Sequence, residues 1–301
     1  MNRHHAVLLG LFLAALPVQA ATPTLSTKTA NIAMTQAQAN LPLFYRELVA
    51  FDQEAHGKLV FPAQPADYHY AKATNIIPLL IHETGLALKS YPLVFLPGND
   101  KAPPTLAAMV GIGDNINRFV DDAGQWRAGA YIPAWVRRYP FLAVSPDGKQ
   151  DPVLALDPSA DVLKQKGGEP LMKNGQPSER LKGIVAFNQE FAAIAERTNA
   201  IVSALQAAGV LEEGSLKFAP PGTPPEQAQE IKGFLIVSEQ KLRALSEESV
   251  LKLHKADAFG LAYAQMLSMN NLGNVLAQPA TAVPPAPTSG KRTNASKSNV
   301  H

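Results

Sequence analysis

The chain has 301 residues, of which 46% are hydrophobic and 17% charged, and it contains no cysteine. This apolar content is enough for a packed core and too high for a disordered chain, and the lack of cysteine excludes a disulfide framework. The net charge of +2 arises at the two ends of the chain, so no concentrated basic face is expected and nucleic-acid binding is excluded.

The first twenty residues have the pattern of a secretory signal peptide. The basic start MNRHH precedes the apolar run AVLLGLFLAALP, and Val18-Gln19-Ala20 forms a small-residue cleavage signature before Ala21. The alternative interpretation is an N-terminal membrane anchor or a buried helix. No later segment resembles a transmembrane helix. We therefore expect residues 1–20 to be removed and the mature protein to be exported to the periplasm or the cell surface.

Two further segments differ in composition from the rest of the chain. Residues 21–40 are small and polar, which predicts a flexible leader. Residues 279–301 are rich in Pro, Ala and Ser, are basic, and contain almost no large apolar residue, which predicts a disordered tail. The sequence therefore predicts a single compact domain at residues 41–278, with disordered termini.

The first half of this domain is predicted to be β-rich with short helices. Two hairpin signals mark turns: Asn174-Gly175 in PLMKNGQP, and NRFVDDAGQW, in which Gly124 supplies the positive φ that the turn needs. Short apolar runs predict strands at residues 59–61, 93–96, 105–112, 117–122 and 141–144.

The second half is predicted to be mainly helical. Apolar residues recur with a period of 3.6 from about Ser178 to Ala208, and Gly209 is placed to end that helix. After a strand pair, SEESVLKLHKADAFGLAYAQMLSMNNLGNVL predicts one long helix that Ser246 caps. The fold class is therefore α+β.

The segment YIPAWVRRYPFLAV (131–144) places two charges inside an apolar and aromatic run. Pro133 favours a helix start, and Pro140 requires the helix to end before it. Arg137 and Arg138 then fall in the last turn of a short helix, where cations interact favourably with the helix dipole. This structural role explains most of the segment.

The same segment is also the candidate ligand site. Paired arginines beside aromatic rings hold carboxylates, phosphates or sugars, so Trp135, Arg137, Arg138 and Tyr139 are the ligand-binding residues that the sequence predicts. We expect Trp135 to belong to the core and Arg138 to face solvent. The other arginine is then expected to pair with a carboxylate.

No motif in the chain carries a recognisable chemistry, so we expect no catalytic residue, no metal and no cofactor. The stretch HETGL (82–86) lacks the second histidine of a zinc-protease helix. The chain has no G-x-S-x-G, no P-loop and no cysteine nucleophile. Asp121 and Asp122 fit a hairpin turn, and they lack the residue order of a calcium loop.

Eight blocks in the chain resemble the SapC family and occur in the order of that family. The resemblance implies an exported or surface-associated protein of the kind named for bacterial surface-layer systems, and it implies no known reaction. The signal peptide and the long tail depart from the simpler family pattern, which argues against a cytoplasmic role. The blocks are LFYRELV (43–49), ATNIIPLL (73–80), YPLVF (91–95), NRFVDDAGQW (117–126), YIPAWVRRYPF (131–141), GEPLMKNGQPSERL (168–181), GFLIVSEQKLRAL (233–245) and LKLHKADAFGLAYAQMLSMNNL (251–272).

We therefore expect an exported, non-enzymatic protein associated with the cell envelope or the surface layer, whose partner is a surface-layer protein or an envelope glycan. Nothing in the sequence indicates an oligomeric state. The alternative is an enzyme or enzyme accessory that acts on an envelope substrate. An aromatic and basic surface patch would favour binding alone. A cleft that gathers two or more of the following polar residues would favour the enzyme: His69, His82, Asp121, Asp122, Arg137 and Arg138.

Overall fold

The structure is a computed structural model that describes residues 41–99, 102–112, 115–145, 151–164, 167–218, 224 and 229–276. The signal peptide, the leader and the tail expected from the sequence lie outside these residues. The fold is α+β, with short strands and short helices up to residue 177 and a mainly helical region after it.

The described strands are β1 (Val49–Ala50), β2 (Val60–Phe61), β3 (Ile76–Pro78), β4 (Leu93–Leu96), β5 (Thr105–Met109), β6 (Phe141–Val144), β7 (Val153–Leu156), β8 (Glu169–Pro170), β9 (Met172–Lys173), β10 (Gln176–Pro177), β11 (Leu211–Phe218) and β12 (Gln229–Val237). The described α-helices are α1 (Gln53–His56), α2 (Thr84–Ala87), α3 (Ala134–Arg138), α4 (Glu179–Ala207), α5 (Glu239–Arg243), α6 (Glu247–Lys255), α7 (Ala258–Ser268) and α8 (Leu272–Leu276). Short 3₁₀ turns lie at His69–Ala71, Ile81–Glu83, Asp161–Lys164 and Met269–Asn271.

The larger sheet is antiparallel and has the strand order β11-β12-β4-β5-β3. Strand β12 meets β4 through one residue pair only, and side chains of α7 supply further hydrogen bonds at this junction. Gln265 accepts from Val237 N at 2.9 Å and donates to Leu93 O at 3.1 Å, while Ser268 Oγ accepts from Leu93 N at 2.8 Å. Helix α7 thereby fastens the β11–β12 ribbon to the sheet.

The smaller sheet has the order β1-β7-β6 and is also antiparallel. Val49 of β1 pairs with Leu156 of β7, which brings residues near position 45 beside residues near position 157. Two separate strand pairs, β2 with β8 and β9 with β10, complete the β structure described.

The long helix α4 connects two hydrophobic cores. Leu181 and Ile184 near its start pack in a core against the three-stranded sheet, which we call the second core. Val202 and Leu205 near its end pack in the first core, together with the five-stranded sheet and α7. Burial of apolar side chains on both sheets is the main term that stabilises such a fold.

Several local expectations are confirmed. Helix α4 begins after Ser178, whose Oγ accepts from a backbone N–H of the first turn, and it ends before Gly209, which has a φ of 69°. Asn174 and Gly175 both have positive φ and join β9 to β10. Gly124 has a φ of 76°, as its turn requires.

Two expectations are wrong. The described residues 117–122 form no strand, and a single bridge between Val120 and Trp126 closes that turn. The long helix expected after Ser246 is divided into α6, α7 and α8. Asp257 has a φ of 56°, and a left-handed residue interrupts an α-helix between α6 and α7. The 3₁₀ turn Met269–Asn271 separates α7 from α8. Among the described residues, no helix has both the length and the apolar composition needed to cross a membrane.

Candidate functional site

A buried carboxylate holds the start of the arginine-containing helix α3. Glu83 Oε1 accepts from Ala134 N at 2.6 Å and from the Tyr131 hydroxyl at 2.9 Å, and its Oε2 accepts from Leu80 N at 2.8 Å. Burial raises the pKa of the Glu83 carboxyl even though these three donors oppose the shift. Pro133 provides no side-chain cap for α3, so Glu83 performs that task from a neighbouring 3₁₀ turn.

The two adjacent arginines of α3 have different environments. Arg138 is 6% exposed, and its guanidinium carbon lies 3.8 Å from the ring centroid of Trp135 and 4.3 Å from that of Phe191. Burial lowers the pKa of Arg138, and a hydrogen bond to the Tyr45 hydroxyl opposes this shift. Among the described residues, no carboxylate forms an ion pair with Arg138. Arg137, by contrast, is exposed.

The expectation for these arginines is therefore wrong in both parts. Arg138 is the buried one, because it lies one turn after the buried Ala134 on the same face of α3. Arg137 donates from Nε to Ile132 O at 3.1 Å and from a terminal nitrogen to the Tyr131 hydroxyl at 3.1 Å. Its contacts are thus with a carbonyl and a phenol, and no carboxylate pairs with it among the described residues.

Trp135, expected in the core, is half-buried and packs at the edge of the core. Its ring centroid lies 6.1 Å from that of Phe191 on α4. The indole Nε1 is buried and has no hydrogen-bond partner among the described residues. Trp135, Phe191 and Arg138 therefore form a packed cluster in which the guanidinium contacts both rings.

Tyr139 is turned away from this cluster and borders a cleft. The residue is 1% exposed, and its ring stacks on Tyr70 with the centroids 4.4 Å apart. Its hydroxyl donates to Asp157 Oδ2 at 3.4 Å. Of the four residues predicted as a ligand site, Tyr139 is the one that lines this cleft.

The cleft beside Tyr139 has a volume of about 480 Å³. Small-molecule sites usually occupy about 300–1,000 Å³, so the cleft is large enough for a small ligand. Three aromatic residues line its floor together with the buried Val162, and four residues with ionisable side chains line its rim. The aromatic floor consists of Phe44, Tyr70 and Tyr139, and the charged rim of Arg46, Asp67, His69 and Asp161.

The aromatic floor lies where the two cores meet. Phe44 and Tyr70 are half-buried and contact apolar residues of both cores. The Phe44 ring meets Tyr70 edge-on at 5.5 Å and Tyr139 at 6.3 Å. The Tyr70 hydroxyl donates to Val136 O of α3 at 3.0 Å, which links the floor to the arginine-containing helix.

Phe44 has a strained backbone, with a φ of 83°. A bulky residue in this region is rare, and such strain persists where the surrounding structure enforces it, often at ligand-binding sites. Here the neighbours of Phe44 are fixed: the Tyr45 hydroxyl donates to Phe141 O at 2.7 Å, and Arg46 N donates to Asp157 Oδ2 at 2.8 Å. Burial raises the pKa of the Tyr45 hydroxyl to about 12, so this donor keeps its proton.

A fully buried carboxylate supports the cleft from beneath. Asp157 Oδ2 receives the Arg46 backbone N–H and the Tyr139 hydroxyl. Asp157 Oδ1 accepts from Ser159 N at 2.9 Å and from Ser159 Oγ at 2.6 Å. One side chain therefore joins a residue of the rim to a residue of the floor.

The charges of the rim are paired with each other. Arg46 lies 3.4 Å from Asp161, and His69 Nδ1 lies 2.6 Å from Asp67 Oδ1. His69 Nε2 lies 3.1 Å from the backbone oxygen of Asp122, so both ring nitrogens face acceptors and both donate only in the protonated ring. The hydrogen bond to the Asp122 carbonyl and the contact with Asp67 raise the pKa of His69 accordingly.

Most of this cleft was not anticipated from the sequence. Phe44, Arg46, Asp67, Tyr70 and Asp161 received no role. One signal was available: LFYR (43–46) and DYHY (67–70) each combine aromatic and ionisable residues within four positions. What the sequence could not show is that these two stretches meet.

A second, more apolar groove of about 380 Å³ contains His82 and lies between the 3₁₀ turn before α2, helix α4 and helix α7. Its edge includes the ion pair between Arg197 and Asp257 at 3.0 Å. Among the described residues, no group of three His, Cys, Asp or Glu side chains could hold a metal ion.

The comparisons with known proteins give one match. A family model described as SapC matches residues 51–275, which is most of the chain. No curated protein and no solved structure matches it. The matched residues contain the five-stranded sheet, strands β6 and β7 of the smaller sheet, helix α3 and three of the four chain segments that line the cleft, and they end within α8. The chain therefore belongs to the SapC family.

Proposed function

We propose that this protein is exported and binds a component of the cell envelope or surface layer, without catalysing a reaction, in the cleft beside Tyr139. The observation that carries the proposal is the combination of an aromatic floor and a charged rim in a cleft that the fold holds in shape. Pockets that bind small ligands are mostly apolar and contain a few well-placed polar groups, as this one does.

The state of His69 favours binding over catalysis. The contact between Asp67 and His69 is the feature that would favour the alternative, an enzyme. In many hydrolases an aspartate beside a histidine orients that histidine as the general base. A general base needs a free nitrogen lone pair, and both nitrogens of His69 face the oxygens of Asp67 and Asp122. Of the six polar residues whose gathering would favour an enzyme, His69 alone lines this cleft.

The exported location rests on the N-terminal sequence and on membership of a family named for surface-layer systems. If residues 1–20 are a signal peptide, the secreted or periplasmic protein begins at Ala21. N-terminal sequencing of the protein recovered from fractionated cells tests this. Recovery from the cytoplasm of a chain that still begins at Met1 would contradict export.

The binding role is tested by sedimentation of the purified protein with an envelope fraction. We expect co-sedimentation that Phe44→Gly and Arg46→Ala both reduce, since one removes a ring of the floor and the other a charge of the rim. Glycine accepts the φ of 83° at position 44, so that variant keeps the turn unstrained. Tyr263→Ala is the matched control, because Tyr263 is an exposed aromatic residue outside the cleft. Equal binding by all four proteins would exclude the cleft.

A further inference from the structure

We infer that the ligand of the cleft is an uncharged saccharide, bound with one face of a sugar ring on the aromatic floor and its hydroxyls on the charged rim. This inference rests on the proposed binding function and specifies the chemical class of the ligand. It follows from four features of the cleft.

The aromatic floor fits the apolar face of a sugar ring. A pyranose presents C–H groups on its faces and hydroxyls around its edge. Phe44 and Tyr70 remain only half-buried although they contact both cores, so ring surface is left at the cleft. Covering aromatic surface with C–H groups removes apolar area from water, and aromatic side chains dominate binding energy for that reason.

The charged rim fits a neutral ligand that both donates and accepts hydrogen bonds. Arg46 and Lys164 both contact Asp161, at 3.4 and 2.8 Å, and His69 contacts Asp67 at 2.6 Å. A ligand with a net charge would therefore meet both signs at the rim and gain little. Hydroxyls, in contrast, can donate to the carboxylates and accept from the guanidinium at the same time.

A peptide fits the same cleft less well. Extended peptides usually bind by adding a strand to an exposed sheet edge, where backbone groups pair in register. The residues that line the cleft lie in turns, in 3₁₀ segments and at the end of α3, and none of them belongs to a strand. The recognition groups are side chains, which suits a ligand whose polar groups surround a ring.

The cleft is also preorganised, because hydrogen bonds within the protein fix its lining residues in the absence of a ligand. Asp157 fixes the Arg46 backbone and the Tyr139 hydroxyl, and Asp67 and the Asp122 carbonyl fix His69. The strained turn at Phe44 keeps its ring edge-on to Tyr70. Fixed side chains lose little conformational entropy on binding, which matters for a weakly interacting ligand such as a short saccharide.

The first test measures binding of defined probes to the purified chain by NMR saturation transfer and titration. The probes are three neutral trisaccharides (chitotriose, maltotriose and mannotriose), one anionic trisaccharide (trigalacturonate) and a trialanine peptide. We expect saturation transfer to the ring C–H protons of at least one neutral sugar. Phe44→Gly should weaken that binding about tenfold, which corresponds to the loss of roughly 50 Å² of buried apolar contact at about 25 cal/mol per Å². Tyr263→Ala should leave it unchanged.

A second test uses the envelope fraction and distinguishes failure of the saccharide inference from failure of the proposed binding function. Periodate destroys vicinal diols of sugars, and protease destroys peptides. Co-sedimentation that is lost after periodate, kept after protease and reduced by Phe44→Gly supports the saccharide. Preferential binding of trigalacturonate overturns the uncharged character of the ligand, and loss after protease alone or preferential binding of trialanine overturns the saccharide; each of these results leaves the binding function intact. Co-sedimentation that no cleft variant reduces, or that never occurs, overturns the proposed function itself.

Discussion

The two cores complete their buried hydrogen bonds in different ways. In the first core, Gln265 and Ser268 of α7 bond to backbone groups of β12 and β4, so side chains extend the pairing of a sheet. At the edge of the second core, Asp157 bonds instead to the Arg46 backbone and the Tyr139 hydroxyl, which belong to irregular segments. The first arrangement secures the scaffold, and the second positions residues of a cleft.

This difference explains why the cleft lies at the junction of the cores. Segments that run between two sheets have no strand partner, so buried polar side chains must satisfy their backbone groups. Loops held on a rigid scaffold in this way are where binding residues usually lie. Substitutions in the first core should therefore change stability alone, whereas substitutions under the cleft should change stability and binding together.

The largest effect is expected for Gln265→Leu. The change leaves Val237 N and Leu93 O buried without their partner, and each such group costs about 1–3 kcal/mol, so we expect a loss of about 3 kcal/mol in the free energy of unfolding. Urea denaturation measures it, and envelope binding by the folded variant should be normal. The control is Gln206→Leu, at an exposed position of α4. A loss below about 0.5 kcal/mol would mean that α7 does not fasten the ribbon to the sheet.

Asp157→Ala is expected to cost about 2 kcal/mol, because Arg46 N and the two donors of Ser159 lose a buried acceptor. Unlike the change at Gln265, it should also reduce envelope binding at a temperature where the variant is folded. The matched control is Asp161→Asn on the exposed rim, which should leave the unfolding free energy within about 0.5 kcal/mol. Normal binding by Asp157→Ala would show that the cleft does not need its support.

The sequence predicted more of the scaffold than of the cleft. The period of α4, the Asn174-Gly175 hairpin and the end of α3 before Pro140 are local features, and each was visible in a few residues. The cleft joins segments near residues 45, 68, 139 and 161, which the pairing of β1 with β7 and the packing of both cores bring together. No local pattern encodes such an arrangement.

The two expectations that concerned orientation or continuity were wrong for related reasons. A helix of five residues has no clear apolar stripe, so no sequence pattern indicates that Arg138 is turned inward. The interruption before α7 occurs at Asp257, and neither this residue nor its immediate neighbours are Gly or Pro. In both cases the surrounding tertiary packing sets the local conformation.

The pH dependence of stability tests the anchor of α3. Burial raises the pKa of Glu83 above its ordinary value of 4.5, so the folded state holds this proton more tightly than the unfolded state. The contribution is therefore complete below about pH 4.5 and is lost as the pH rises through the folded-state pKa. Relative to Glu83→Gln, the natural protein should thus lose unfolding free energy as the pH rises above about 4.5, as measured by urea denaturation.

Glu47→Gln, at an exposed position, provides the matched control and should show no such trend. A natural protein that instead gains stability over Glu83→Gln as the pH rises would mean that the three hydrogen-bond donors outweigh burial. The Glu83 carboxylate would then stabilise the start of α3 as an anion.

The smallest effect is expected for Arg137→Gln, and it decides between the cleft and the arginine-containing helix as the ligand site. Arg137 is exposed, and its contacts with the described part of the chain are to neutral groups and rings: Ile132 O, the Tyr131 hydroxyl and ring and, at 5.3 Å, the ring of Phe187. Its replacement should change the unfolding free energy by less than about 0.5 kcal/mol. Since it does not line the cleft, co-sedimentation with the envelope fraction should also persist. If Arg137→Gln abolished co-sedimentation and Arg46→Ala did not, the ligand would instead bind at α3. There, the exposed guanidinium of Arg137 lies beside Tyr131 and Phe187 and could hold an anionic group.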